Sequence, residues 1–383
     1  MKIKLIRTAV VSVAGVCATT ASAIEPAGFG AGFVDLIPTL SIQTGYDDNI
    51  YGDETGAKGS FTSVISPNLL IAAEKDNDSY SVNYNMAIGT TYSSHVDDYV
   101  DHNLSGSAQL ELDSRNRLTL GANLGRIHES GPNNGDAPAY FVDHGISAGY
   151  GFGAEGAKGN IEGSFAYQSH DTLNYHTENA GDVRENLLLG GKFLYRVAPK
   201  TKLVTEGRIE TADYEQESTT SLDNTSLKFL GGVAWEATAK TAGEAKIGFV
   251  NKDFDSTLTD RDSFTWEIGA TWSPLSYSNF GLSTSQAFNE TDGDLIDSAT
   301  YSLTWDHTWS DVVSTNVAYS LTNDDYLDAG RKDDTNSFTV GANYELKRWL
   351  SVGVGYTHTD VESTLAGSSS TKNVVSLTLQ GSL

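Results

Sequence analysis

Cysteine is all but absent from this 383-residue chain, which has one Cys, two Met and seven Pro. The lone Cys17 leaves no disulfide framework to read. Basic residues are half as numerous as acidic ones, 25 against 50, for a formal net charge of −25. A chain this acidic lacks the basic footprint that phosphate requires, so nucleic acid is excluded as a partner. No apolar run of 18 residues follows the N-terminal leader, so no transmembrane helix is expected. H-E-x-x-H, G-x-S-x-G and the P-loop are all missing. No cofactor and no enzymatic activity are therefore expected. Gly is plentiful at 38, and aromatics make up 10% of the chain. That balance suits many strands better than packed helices.

The first 23 residues read as a secretory signal peptide: basic Lys2, Lys4 and Arg7, an apolar stretch from Thr8 to Ala18, and an Ala21-Ser22-Ala23 cleavage site. A lipoprotein leader would use Cys17, but Val16 precedes it where a small residue is wanted. Cleavage removes three basic residues, leaving 22 against 50, a net −28, and takes the Cys with it. The mature chain crosses the inner membrane and does not stop there.

What remains alternates with period two. Leu118, Leu120, Ala122 and Leu124 share one face, with Arg117, Thr119, Gly121 and Asn123 on the other. Phe264, Trp266, Ile268, Ala270 and Trp272 repeat the pattern, as do Val375, Leu377, Leu379, Gly381 and Leu383. Alternation sets one face in an apolar medium and one in a polar medium. A soluble sandwich would also alternate, but three features favour a membrane barrel. Many runs approach or exceed the ~9–11 residues of a tilted spanning strand. Short turns (Glu74–Asp78, Ser114–Asn116, Pro199–Thr201, Ser273–Leu275, Lys347–Trp349) alternate with longer acidic or Gly-rich links (Asp47–Ser60, Gly131–Ala139, His170–Asp182, Asp255–Asp260, Thr291–Asp297, Thr322–Asp334). Trp235, Trp272, Trp305, Trp309, Tyr344 and Tyr356 sit near strand ends, as in an interfacial girdle. The fold class is all-β: a transmembrane antiparallel barrel of about 18 strands, or 16 if the weak runs between Gly145 and Ser169 fail. Short turns face the periplasm and longer loops the exterior. The domains are a signal peptide at 1–23, a short periplasmic lead-in at 24–37 and a barrel at 38–383.

With apolar residues outside, the lumen-lining candidates are Arg117, Lys192, Arg196, Arg208, Lys228, Lys246, Glu206, Glu267 and Glu345. Other inward charges include Lys202, Glu210 and Glu244. Opposite signs lie two residues apart, as in Glu206, Arg208 and Glu210, so they pair along or across the wall. The plain reading is a solvated lumen held by mutual pairing. The sharper reading is a track for a hydroxylated polymer, with Asn83, Asn85, Gln109, Asn123 and Asn343 adding hydrogen bonds. The acidic loops lack the full 12-residue pattern of a calcium site, and a solvated acidic face explains them. The eight His are scattered and single out no nucleophile–base pair.

Near the mature start the chain reads Tyr46-Asp47-Asp48-Asn49-Ile50-Tyr51. This segment resembles the first-strand end of the outer-membrane barrel family labelled "putative β-barrel porin 2". The resemblance implies a bacterial outer-membrane channel that exports an exopolysaccharide or capsular polysaccharide. Its partners would be outer-membrane lipid, the polysaccharide, a separate periplasmic polysaccharide export protein and the barrel assembly machinery. The terminal strand resembles the signal that machinery reads, although the chain ends in Leu383 rather than an aromatic. Two alternatives stand beside export: a general or sugar-selective diffusion porin, with Asp47–Ser60 or Thr322–Asp334 as a constriction loop, and a structural or adhesive barrel. The motif also has a structural reading: Tyr46 and Tyr51 as girdle aromatics, Asp48-Asn49 as a turn.

Overall fold

The structure, a computed structural model, describes residues 29–382 apart from 32, 132–135, 155, 216–220, 239 and 292–293. The expected signal peptide and the first part of the lead-in, 24–28, lie outside the described residues. A three-residue stub, β1 (Phe29–Ala31), precedes the long strands. These are β2 (Val34–Asp47), β3 (Ser60–Lys75), β4 (Asp78–Thr91), β5 (Tyr99–Glu111), β6 (Asn116–Glu129), β7 (Ala139–Phe152), β8 (Gly159–Thr172) and β9 (Arg184–Ala198). The second half comprises β10 (Thr201–Tyr214), β11 (Asn224–Thr238), β12 (Thr241–Phe254), β13 (Arg261–Leu275) and β14 (Ser278–Thr291). It ends with β15 (Asp294–Ser310), β16 (Val313–Tyr326), β17 (Arg331–Lys347), β18 (Leu350–Ser363) and β19 (Ser370–Ser382). Each pairs antiparallel with the next, and β19 pairs back onto β2 from Val374 opposite Asp47 to Ser382 opposite Thr39. The result is a closed barrel of 18 strands, β2 to β19. The two weak runs are full strands: β7 and β8 pair continuously from Phe141 opposite Thr172 to Phe152 opposite Ile161.

Strand length explains the membrane fit. Fourteen residues, as in β6, extend about 46 Å at ~3.3 Å each. At a tilt of 35–45° that crosses an apolar band of roughly 25 Å and projects beyond it. Leu120, Leu124, Ile146, Ile161, Phe249 and Val375 point outward and are exposed. In water such a surface would aggregate; here it faces lipid. Closure leaves no unpaired strand edge along the barrel wall.

Several boundaries differ from expectation. The first strand begins at Val34, inside the segment read as lead-in. Below Thr39 β19 has ended, and β1 covers the free edge of β2, with Phe29 opposite Leu36 and Ala31 opposite Val34. The links expected at Thr291–Asp297 and Thr322–Asp334 are mostly strand. β16 and β17 run on as a hairpin because their charges pair: Lys332 binds Asp325, and the Arg331 guanidinium lies 4.7 Å above the Tyr326 ring. Thr322–Asp334 is therefore no constriction loop. At the long-loop end a small apolar core forms from Ala212, Tyr214, Leu222, Phe254 and Leu295, with Leu258, Phe288 and Leu327 packed against it.

Candidate functional site

Residues paired in register share a face of the sheet. Phe229, Phe249 and Phe264 are paired in one row on the lipid side, so the alternate residues of β9–β13 face the lumen. Seven charged side chains meet there. Lys246, nearly buried, reaches Glu206 at 2.7 Å, Glu267 at 2.8 Å and Glu244 at 3.2 Å. Arg208 holds Glu267 with both Nη atoms, at 2.6 and 2.9 Å, and Glu206 through Nε at 2.5 Å. Lys192 donates to Glu244 at 2.8 Å, and Lys228 stands 3.7 Å from Glu267. Four cations thus interleave with three carboxylates. Six of the seven are among the lumen candidates, and Glu244 is one of the further inward charges.

The reach of these side chains shows that the wall is bent. Arg208 aligns with Lys228, Val250 and Ser263, so Glu267 lies three strands over and four residues along. On a flat sheet that is about 20 Å, from strands ~4.8 Å apart and ~3.3 Å per residue. An Arg and a Glu side chain do not span it unless the sheet folds toward them. Gly232 and Gly248 permit the fold. A Cβ on Gly248 would stand 1.8 Å from the Phe229 carbonyl oxygen, and one on Gly232 2.0 Å from that of Ala245. Inside the bend Leu194, Val204, Leu230 and Val250 are buried on the lumen side. The expectation that inward residues are polar is corrected at these four positions: the crease excludes water, so apolar side chains fit beneath the long charged ones.

Nearer the exterior a second cluster gathers on Glu290. Its carboxylate accepts from the Tyr214 hydroxyl and Asn224 Nδ2, each at 3.0 Å, and from Lys252. A cavity of about 250 Å³ lies between the two clusters, lined by Arg208, Lys228, Lys252 and Glu290. Sequence reading missed Lys252 and Glu290. The signal for Lys252 was its even spacing from Lys246 on one strand face; Glu290 was obscured by the acidic run that follows it.

The remaining candidates lie apart from the seven-charge belt. Arg117 donates to the Gly153 carbonyl at 2.9 Å, and Arg196 to that of Pro199 at 2.7 Å; both brace periplasmic turns. Glu345 sits at the periplasmic end of β17 opposite Ser351. His128 and His170 are held by Asp101 and Asp143 at 2.7 and 2.6 Å.

The Tyr46–Tyr51 motif lies at the seam where the barrel closes. Asp47 Oδ1 accepts the Asn49 N–H at 2.9 Å, an Asx-type turn. Asp48 accepts from the N–H and the Nδ2 of Asn373 on β19, both at 2.7 Å. Those bonds hold its carboxyl below the usual carboxylate range. Asn49 is buried; its Nδ2 donates to the Asp53 and Thr371 carbonyls at 2.8 and 3.0 Å, and its Oδ1 accepts the Asp53 N–H at 2.9 Å. Tyr51 donates to Asp97 at 2.9 Å. Tyr46 stacks edge-on against Phe61, 5.1 Å between centroids, on the lipid side.

A family model described as "Putative beta-barrel porin 2" matches residues 22–382. No curated protein matches this sequence. Among solved structures, OpdQ of Pseudomonas aeruginosa is similar with a TM-score of 0.49 and 10% identity, over 91% of this chain and 97% of that one. OccAB4 of Acinetobacter baumannii gives 0.47 and 11%, over 94% and 100%. The outer membrane protein opdK of P. aeruginosa gives 0.45 and 11%, over 91% and 99%. These likenesses concern the fold. The expectation of polysaccharide export is corrected here. The family description is that of a porin. The polymer and its periplasmic export partner go with the reading that required them.

Proposed function

The chain belongs to the "Putative beta-barrel porin 2" family of the bacterial outer membrane, and from that premise we propose that it is a passive, non-enzymatic channel for uptake of small hydrophilic solutes. The seven-charge belt carries this reading. Four cations and three carboxylates in mutual contact leave a net of one positive charge on that wall. A wall so nearly neutral gives neutral sugars and zwitterions no strong electrostatic barrier, while its donors and acceptors offer contacts weak enough to release at each step. Downhill diffusion needs no energy source. The assembly machinery would insert the chain, reading the apolar alternation of β19.

Liposome swelling tests this. Vesicles holding the purified barrel should swell in isotonic arabinose at least about tenfold faster than protein-free vesicles, and progressively more slowly with di- and trisaccharides, as expected for weak, multi-site passage. A rate equal to that of protein-free vesicles would overturn the proposal.

A further inference from the structure

The outer wall carries a bare trough directly behind the charged belt. Gly163 on β8, Gly191 on β9 and Gly207 on β10 are paired in one row, all facing outward and exposed. Tyr150 closes the row at one end and Phe229 at the other. Leu189 and Ile209 overhang it. Glycine weakens a strand by roughly 0.5–1 kcal/mol relative to alanine, so three in a row need a reason. Close packing is not that reason. A Cβ on Gly191 or Gly207 would meet nothing within 4 Å, and one on Gly163 only a carbonyl oxygen at 4.0 Å. None of the three has a positive φ. The chain's own fold leaves the space open: a cavity of about 660 Å³ with a predominantly apolar lining.

A cation stands at its foot. Lys158 occupies the periplasmic turn before β8, and its Nζ lies 5.4 Å from the centroid of the outward-facing Tyr195 ring. That ring marks the lipid–water boundary, where amphipathic aromatics settle. Tyr195 pairs with Gly159, and Gly163 lies four residues further along β8. At ~3.3 Å per residue and a tilt near 40°, the trough begins about 10 Å above that boundary. It then climbs from the fifth residue of β8 to the seventh of β10, both counted from the periplasmic end.

We propose that this trough seats the acyl tail of a phospholipid of the periplasmic leaflet, whose anionic headgroup is met by Lys158. The depth suits a tail from that leaflet, and the lysine supplies the complementary charge. Apolarity alone would not retain it, because surrounding tails are equally apolar. Retention comes from van der Waals contact across the three bare positions and from the headgroup pair.

The test is native mass spectrometry of the full, detergent-purified barrel incubated with dioleoylphosphatidylglycerol. The wild type should retain one molecule per barrel. Gly191→Leu fills the trough from a lipid-facing position and should lower retention at least about tenfold, with the heat-modifiable folded band intact. Lys158→Gln should keep binding but lose the preference for phosphatidylglycerol over phosphatidylethanolamine. Should Gly191→Leu not fold, competition on the wild type decides. Diphytanoyl chains, too broad for the trough, should compete at least about tenfold less well than straight chains. No retained phospholipid, equal retention by Gly191→Leu, equal competition by branched chains, displacement by lipopolysaccharide, or a dimer lost on filling the trough would each overturn the proposal. None of these readouts depends on solute flux, so the channel reading fails or stands separately.

Discussion

Replacing Lys246 by methionine is expected to destabilise the barrel by about 3 kcal/mol, the lower end for removing one partner of a buried ion pair. It should also move the channel's ion selectivity toward cations. Lys246 touches three carboxylates, Glu206, Glu244 and Glu267, from a nearly buried position. Methionine keeps most of the volume and removes the charge. Glu206 and Glu267 retain Arg208, and Glu244 retains Lys192, yet the belt then holds three cations against three carboxylates. The buried carboxylates lose a shared cation in a place where water reaches poorly, and that desolvation is the dominant cost. Two measurements check it: the temperature at which the compact electrophoretic form converts to the unfolded one, and the reversal potential in a salt gradient across a planar bilayer. Adding Glu206→Gln to Lys246→Met should recover part of the stability, as expected for coupled residues. An unchanged conversion temperature in the single variant would show that the belt does not hold the wall.

The second large effect is expected at the seam. Asn49→Ala deletes three side-chain hydrogen bonds and leaves the carbonyls of Asp53 and Thr371 without that donor. At about 1 kcal/mol for each of the three bonds, the loss is roughly 3 kcal/mol. Asp48→Ala acts on the same joint by freeing Asn373. Asp48 also makes the seam sensitive to acid. Its folded carboxyl titrates below its usual value, so its contribution is fully present above the unfolded carboxylate pKa of about 3.9 and is lost as pH falls through the lower folded value. Heat resistance attributable to Asp48 should be flat from pH 7 to about 5 and decline below about 4. Asp48→Asn should remove that decline. Wild type and Asp48→Asn with superimposable acid profiles would rule the contact out as the source.

Much of this architecture is readable from alternation alone. Leu118 to Leu124, Phe264 to Trp272 and Val375 to Leu379 announce β6, β13 and β19 because one lipid face and one wet face force period two. Alternation also sends Lys192, Glu206, Arg208, Lys228, Lys246 and Glu267 inward. It says nothing of which of them touch, because that depends on register and on how sharply the sheet bends. Gly232 and Gly248 make the crease, and a glycine in a strand reads the same whether it crowds a neighbour or lies bare, as Gly191 does. Acidic residues misled in the other direction. Asp324, Asp325, Asp333 and Asp334 read as loop, yet they extend β16 and β17, where Lys332 pairs with Asp325 and Arg331 with Asp333. Glu290 and Lys252 belong to strands whose distance in sequence hides their meeting. The export expectation rests chiefly on a resemblance, and the inward amides that suggest a polymer track, such as Asn83 and Gln109, suit any polar lumen equally.

The bonds between Asp48 and Asn373 join residues 325 positions apart. Bringing such distant points together carries a loop-closure cost of about 5 kcal/mol, by (3/2)RT ln n. No growing chain can form this contact until Asn373, the fourth residue of β19 (Ser370–Ser382), has been made. The joint is thus a marker of ring closure. A chain cut short before Asn373 would present β2 and β18 as two raw edges ready to pair with any passing strand. The Asp48 bonds sit where the first and last strands of the barrel meet, so the ring is fastened at its own joint.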